Sequence, residues 1–202
     1  RGAIVRAEKI LTKTKGAIMP QQFSNTANPE IHRTTTAEEI WYDTDGMVDV
    51  IVGGVGTGGT ISGVAKFLKQ QNSNIKIWGI DTYGSAFKKY HETGIFDKKE
   101  VYPYITEGIG EDIIPENVDF DLIDHFEKVT DEDGARYTRK LAKEEGIFAG
   151  NSCGAAVKGV IQLKKHFTKN DVVVVLLHDS GSRYVGKIYN DEWMKVNGFR
   201  LD

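Results

Sequence analysis

The chain has 202 residues and a single cysteine, Cys153, so no disulfide can form within it. That usage suits a reducing compartment, and the cytoplasm is the expected location. No stretch approaches the ~20 apolar residues of a membrane span. The first residues alternate charged and apolar side chains, so no secretory signal is expected. Net charge is only −3, and no basic stripe interleaved with aromatics is present, which argues against a nucleic-acid binder. The longest basic patch, Lys164-Lys165-His166, reads as a solvated helix end. None of the five histidines has metal-ligand spacing with another, so no metal site is expected.

What is present is an alternation of strand and helix patterns. Val48–Gly53 is a β-branched run with the composition of a buried parallel strand. Ile61–Gln70 carries apolar residues at Ile61, Val64, Ala65 and Leu68, a helical spacing. Between them lies Gly54-Val-Gly-Thr-Gly-Gly-Thr60. A glycine-rich turn at a helix start lets backbone N–H groups converge where the helix dipole is positive, a concavity that binds phosphate. Thr57 and Thr60 add hydroxyl donors. A nucleoside triphosphate is excluded, because no lysine precedes Thr60. Three readings stay open on the loop alone. It is a cup for a single phosphate monoester such as pyridoxal phosphate, a dinucleotide site with Asp81 as the ribose acid, or a structural turn.

The rest of the chain predicts a helix over 2–14, a short strand at Ala17–Met19, and an irregular polar stretch over 21–35 in which Asn25, Asn28 and Pro29 mark turns. Thr36-Ala-Glu-Glu39 opens a short helix with a capping-box pattern. Ile75–Asp81 is the next strand, and 83–110 reads as a long binding loop. Asp131 is expected to cap a helix that Gly146 ends. Gly150–Gly154 opens a helix from Ala155 to Phe167, Asp171–Leu177 is a buried strand, and a last loop at His178–Ser182 leads into a helix. The class is α/β with a mainly parallel, twisted sheet flanked by helices. Ligands bind such sheets off the strands' carboxyl ends, where the three polar loops fall.

Four segments together resemble one family. They are Gln21–His32, Gly56-Thr57-Gly58-Gly59-Thr60, Glu107-Gly108-Ile109-Gly110 and Gly150-Asn-Ser-Cys-Gly-Ala155. In order and spacing the whole chain is similar to the cystathionine β-synthase and cysteine synthase family of fold type II pyridoxal-phosphate enzymes. The resemblance implies the large domain of the tryptophan synthase β-like fold at 31–202, with residues 1–30 ending a smaller, incomplete N-terminal domain. It implies pyridoxal 5′-phosphate as cofactor, its phosphate on Gly56–Thr60 and its pyridine nitrogen against Ser152. An uncharged hydroxyl there leaves the ring a milder electron sink than a carboxylate would, which suits β-replacement.

The resemblance further places Gln22, Phe23 and Gly108 near the amino-acid substrate, with Asp179 and Ser180 behind Ser152, and it implies a homodimer. The tail from Lys187 to Phe199 favours cystathionine β-synthase (serine plus homocysteine). Gln21–His32 is at least as similar to cysteine synthase (O-acetylserine plus sulfide). Glu111 and Cys153 depart from the family pattern. No lysine has the setting of the family's Schiff-base lysine, so no catalytic residue is assigned. The chain reads as the C-terminal two-thirds of an enzyme, inactive without its N-terminal part. Two rivals remain: a nicotinamide dinucleotide domain that uses Asp81, and a non-catalytic binding partner.

Overall fold

The computed structural model describes residues 2–201; Arg1 and Asp202 lie outside the described residues. Four strands form one parallel sheet in the order β3-β2-β1-β4. They are β1 (Val48–Gly54), β2 (Lys76–Thr82), β3 (His125–Val129) and β4 (Val172–Val175). Alternating residues of the central strands feed two cores. Ile51 and Ile77 pack with α4 (Gly59–Gln71), whereas Val50, Val52, Trp78 and Ile80 pack with α7 (Asn151–Gln162). Burial on both faces is why these strands read as continuous apolar runs.

The remaining helices are α1 (Gly2–Lys13), α2 (Ala27–Thr34), α3 (Thr36–Asp43), α5 (Phe87–Thr93), α6 (Asp131–Glu145) and α8 (Asp191–Val196). The chain leaves β1 toward β2 and returns on β1's other flank as β4. The order therefore reverses at β1 and β4, which opens a crevice off their carboxyl ends.

Several expectations are corrected. Residues 17–19 form no strand, and Ile18 stays 89% exposed; a strand needs a hydrogen-bonded neighbour, and the sheet supplies none there. The stretch over 21–35 contains α2. Pro29, read as a turn marker, sits in that helix's first turn, where its missing N–H costs nothing. The long loop after β2 contains α5. The residues after Ser182 form a 3₁₀ turn over Gly181–Tyr184 rather than a longer helix.

Helix α6 is capped by Thr130, whose hydroxyl accepts the Asp133 N–H at 3.2 Å, and not by Asp131. Its acidic first turn and left-handed Gly146 satisfy both ends. Helix α7 begins at Asn151, four residues earlier than expected, with Gly150 as its cap residue. Gly154 allows this start: a Cβ there would overlap Thr138 Oγ1 and the Gly134 carbonyl, so α6 and α7 touch at the backbone.

Candidate active site

The turn after β1 is shaped by backbone that only glycine tolerates. Gly58 precedes α4 at φ 87°, a left-handed conformation. A Cβ at Gly56 would stand 2.8 Å from the Gly108 carbonyl oxygen, so a second glycine segment lies against the first. The Gly110 N–H donates to the Val55 carbonyl at 2.7 Å and fixes that contact. A cavity of about 180 Å³ opens there, lined by Gly54, the 56–61 stretch, Gly108 and His178. Its lining carries no lysine or arginine; backbone N–H groups, two threonine hydroxyls and one imidazole are its polar equipment.

Ser152 reaches the same place from the other core. It is the second residue of α7, nearly fully buried, and its hydroxyl forms no hydrogen bond among the described residues. Ser152 therefore does not serve as the helix cap, a place that Gly150 takes. A Cβ built at Gly108 would stand 3.7 Å from Ser152 Oγ. Gly108 thus touches both the glycine turn and Ser152, and the two predicted loops share one end of the molecule.

Asp131 holds the approach to this segment. Its carboxylate accepts the N–H groups of Ile105 and Thr106, both at 2.8 Å, and the Thr106 hydroxyl at 2.6 Å. On the segment's other side, Glu107 pairs with Lys187 from the C-terminal arm. Behind Ser152, the Asp179 carbonyl accepts the Gly150 N–H at 2.9 Å. The Asp179 carboxylate accepts Tyr184 OH at 2.9 Å. Cys153 lies against the same aspartate, fully buried, and desolvation pushes its thiol pKa up. Ser180 bonds locally, accepting the Ser182 N–H at 3.3 Å.

Two functional neighbours escaped the sequence reading because α2 did. Asn28 Nδ2 donates to Thr57 Oγ1 at 3.0 Å and to the Gln22 carbonyl at 2.8 Å. One turn on, the His32 ring bonds Thr36 Oγ1 at 2.9 Å and Thr60 Oγ1 at 3.2 Å. Burial pushes the His32 pKa down, which keeps the ring neutral. The legible signal was the i, i+4 spacing of Asn28 and His32, which puts both on one helix face. Gln22 itself is exposed and Phe23 half-buried; both are tied down through their carbonyls, which accept bonds from Asn117.

Asp81, the acid that a dinucleotide reading needs, is fully buried. Its carboxylate accepts the N–H groups of Thr82 at 2.9 Å and Lys88 at 3.1 Å. Burial pushes its pKa up. It closes the β2–α5 turn and presents no free face to a ribose. A wider cleft of about 560 Å³ runs beside α6, lined by residues such as Arg136, Arg139 and Tyr189, but it holds none of the predicted site residues. Among the described residues no cluster of His, Cys, Asp or Glu is placed to hold a metal ion. No helix of the described residues is long and apolar enough to cross a membrane.

Comparison with known proteins shows the family of the chain. Residues 1–179 match the family described as pyridoxal-phosphate dependent enzyme. Cysteine synthase A of Escherichia coli (strain K12) is 39% identical over 188 residues, 92% of this chain and 58% of that protein. Cystathionine beta-synthase of Saccharomyces cerevisiae is 36% identical over 199 residues, 95% of this chain and 39% of that protein. Cysteine synthase of Buchnera aphidicola is 39% identical over 207 residues, 98% of this chain and 63% of that protein. The chain therefore spans less than two-thirds of the length of these relatives.

Proposed function

The chain belongs to the pyridoxal-phosphate dependent enzyme family, and from that premise we propose that its glycine cup and Ser152 hold pyridoxal 5′-phosphate for β-replacement on serine or an activated serine. The observation that carries this reading is the bridging position of Gly108, against the cup on one side and Ser152 on the other. A phosphate monoester on Gly56–Thr60 then has its ring directed toward a hydroxyl that has no other hydrogen bond among the described residues. When bound, the cofactor supplies electron withdrawal that acidifies the amino acid's α-carbon and loosens its β-substituent.

The chain's own residues do the rest. Backbone N–H groups and the Thr57 and Thr60 hydroxyls grip the phosphate without a metal. Asn28 and His32 hold those hydroxyls from outside. Ser152 offers a neutral partner to the ring nitrogen. Gly108, at φ 89°, lets the backbone come close to the substrate without a side chain in the way. Gln22 and Phe23 flank the substrate's carboxylate.

Cystathionine β-synthase, condensing serine with homocysteine, is the activity we favour, on the tail from Lys187 to Phe199. Cysteine synthase, using O-acetylserine and sulfide, is the second reading, favoured by the identities of 39% against 36%. The proton-transferring lysine is supplied by an N-terminal part that packs against α1 and residues 17–19. In support, α1 buries none of its own side chains and Ile18 is exposed. The working enzyme is a cytoplasmic homodimer.

The test is an assay of both substrate pairs, with the 202-residue chain alone and with the N-terminal part supplied. Turnover is expected only in the reconstituted sample, faster with serine and homocysteine. Full turnover by the chain alone would refute the division of labour; faster use of O-acetylserine and sulfide would reverse the choice of activity.

A further inference from the structure

Among the described residues His178 is the one ionisable side chain lining the cavity, where a structural role is the expectation from its place at a strand end. It follows β4 directly. Its Nε2 lies 3.7 Å from where a Cβ on Gly53 would be, and its Cδ2 lies 3.9 Å from a Cβ on Gly54. The imidazole thus stands beside the end of β1, where the glycine turn begins. The side chain is exposed to solvent at the cavity, and the protein atoms near the ring still desolvate it in part.

We propose that His178 is a ligand-binding residue of this site, taking up a proton from solvent when a phosphate monoester enters the cup. The inference rests on the cofactor reading above and deepens it. A phosphate monoester carries between −1.5 and −2 charges near neutral pH. The cup meets it with dipoles and hydroxyls, since no lysine or arginine lines it. A dianion beside an imidazole favours the charged ring.

The other groups around His178 set its resting state. Asp179, the next residue, pulls toward the charged form, whereas His32 from α2 opposes it only when it is itself protonated. From α7, the Cys153 thiol lies against the His178 backbone. From the 107–110 segment, the only ionisable group, Glu107, is paired with Lys187. The turn over 54–60 has none. Crowding outweighs Asp179 and holds the ring below its ordinary pKa, so it rests neutral at pH 7.

Ligand binding therefore raises the pKa of His178. The gain in affinity is complete below the free-state pKa and is lost as pH rises through the bound-state pKa. One unit of such a shift is about a tenfold loss of affinity across the window.

The experiment uses pyridoxine 5′-phosphate, which has the phosphate and ring but no aldehyde to react with lysines. Its affinity for the chain is measured from pH 6 to 9, alongside His178→Gln. The His178 ring signal, identified by its loss in that variant, is followed by proton NMR with and without ligand. The probe's own phosphate ionisation is common to both proteins and cancels. The expected result is an upward shift of the ring's titration by at least one unit on binding, with about tenfold less pH dependence in His178→Gln. Should that variant not fold, His178→Asn identifies the signal and the wild-type titration decides. Tight binding with an unmoved ring, or identical pH profiles, overturns the role of His178 and leaves the cup intact. Failure of the wild-type chain to bind pyridoxine 5′-phosphate at any pH overturns cup and histidine together.

Discussion

The elements around the glycine cup and the N-terminal helix both carry apolar faces, yet they bury them to different depths. Around the cup, β1, α4 and α7 bury Ile51, Val52, Ile61 and Ala155 to 1% exposure or less. Helix α1, with an apolar stripe at Ile4, Ala7, Ile10 and Leu11, fully buries none of it: Ile4, Ala7 and Leu11 are half-buried and Ile10 is 49% exposed. An amphipathic pattern states which face wants cover; only a neighbour supplies it. The contrast separates residues sealed in the sheet's two cores from residues left partly open to solvent.

The sharpest way to break the contrast is truncation in the sheet. Ile51→Ala should cost about 2–5 kcal/mol in urea unfolding, because the rigid strands on either side cannot close the cavity. Loss of the α6 cap comes next: Thr130→Ala should cost about 1 kcal/mol by the same measurement, and Thr130→Ser should restore most of it. Asn28→Ala should cost about 1 kcal/mol and weaken pyridoxine 5′-phosphate binding, since it frees Thr57 from one partner. At the far end, Ile18→Ser should lie within about 0.5 kcal/mol of wild type. A large loss there would show that the arm packs on the chain in solution.

Glu111 sharpens the comparison by pH. Its carboxyl is half-buried beside Asp112, and desolvation raises its pKa to about 7. A raised carboxyl pKa means that the folded state prefers the protonated form. Its stabilising contribution is present below the unfolded pKa of 4.5 and is lost as pH rises through about 7. Unfolding between pH 4 and 8 should show this fall in wild type and a flatter profile in Glu111→Gln.

Much of this was legible in the order of residues. The strands at 48–54 and 76–82, the α6 boundaries and the loop at 54–60 follow from local pattern alone, because β-branched runs, acidic first turns and glycines act within a few residues of themselves. The misreadings share one cause. Pro29 suggested a turn because proline breaks helices in their interior, but its cost depends on position within the helix. Asp131 suggested a cap, yet its carboxylate serves Ile105 and Thr106 from a distant segment. Residues 17–19 suggested a strand, and strands are made by pairing rather than by propensity.

The site divides along the same line. Sequence marked a phosphate-sized turn after the first core strand and a serine at a later helix start, because each is written in consecutive residues. That Gly108 lies between them, that α2 braces the threonines from outside, that Asp81 is sealed away and that His178 faces the cup were decided by tertiary structure. Asp81 aside, whose carboxylate serves the turn it closes, each depends on segments from 28 to more than 100 residues apart being brought together at the reversal point of a parallel sheet. No local pattern encodes that meeting, since it is the burial of both sheet faces that fixes which loops share an end.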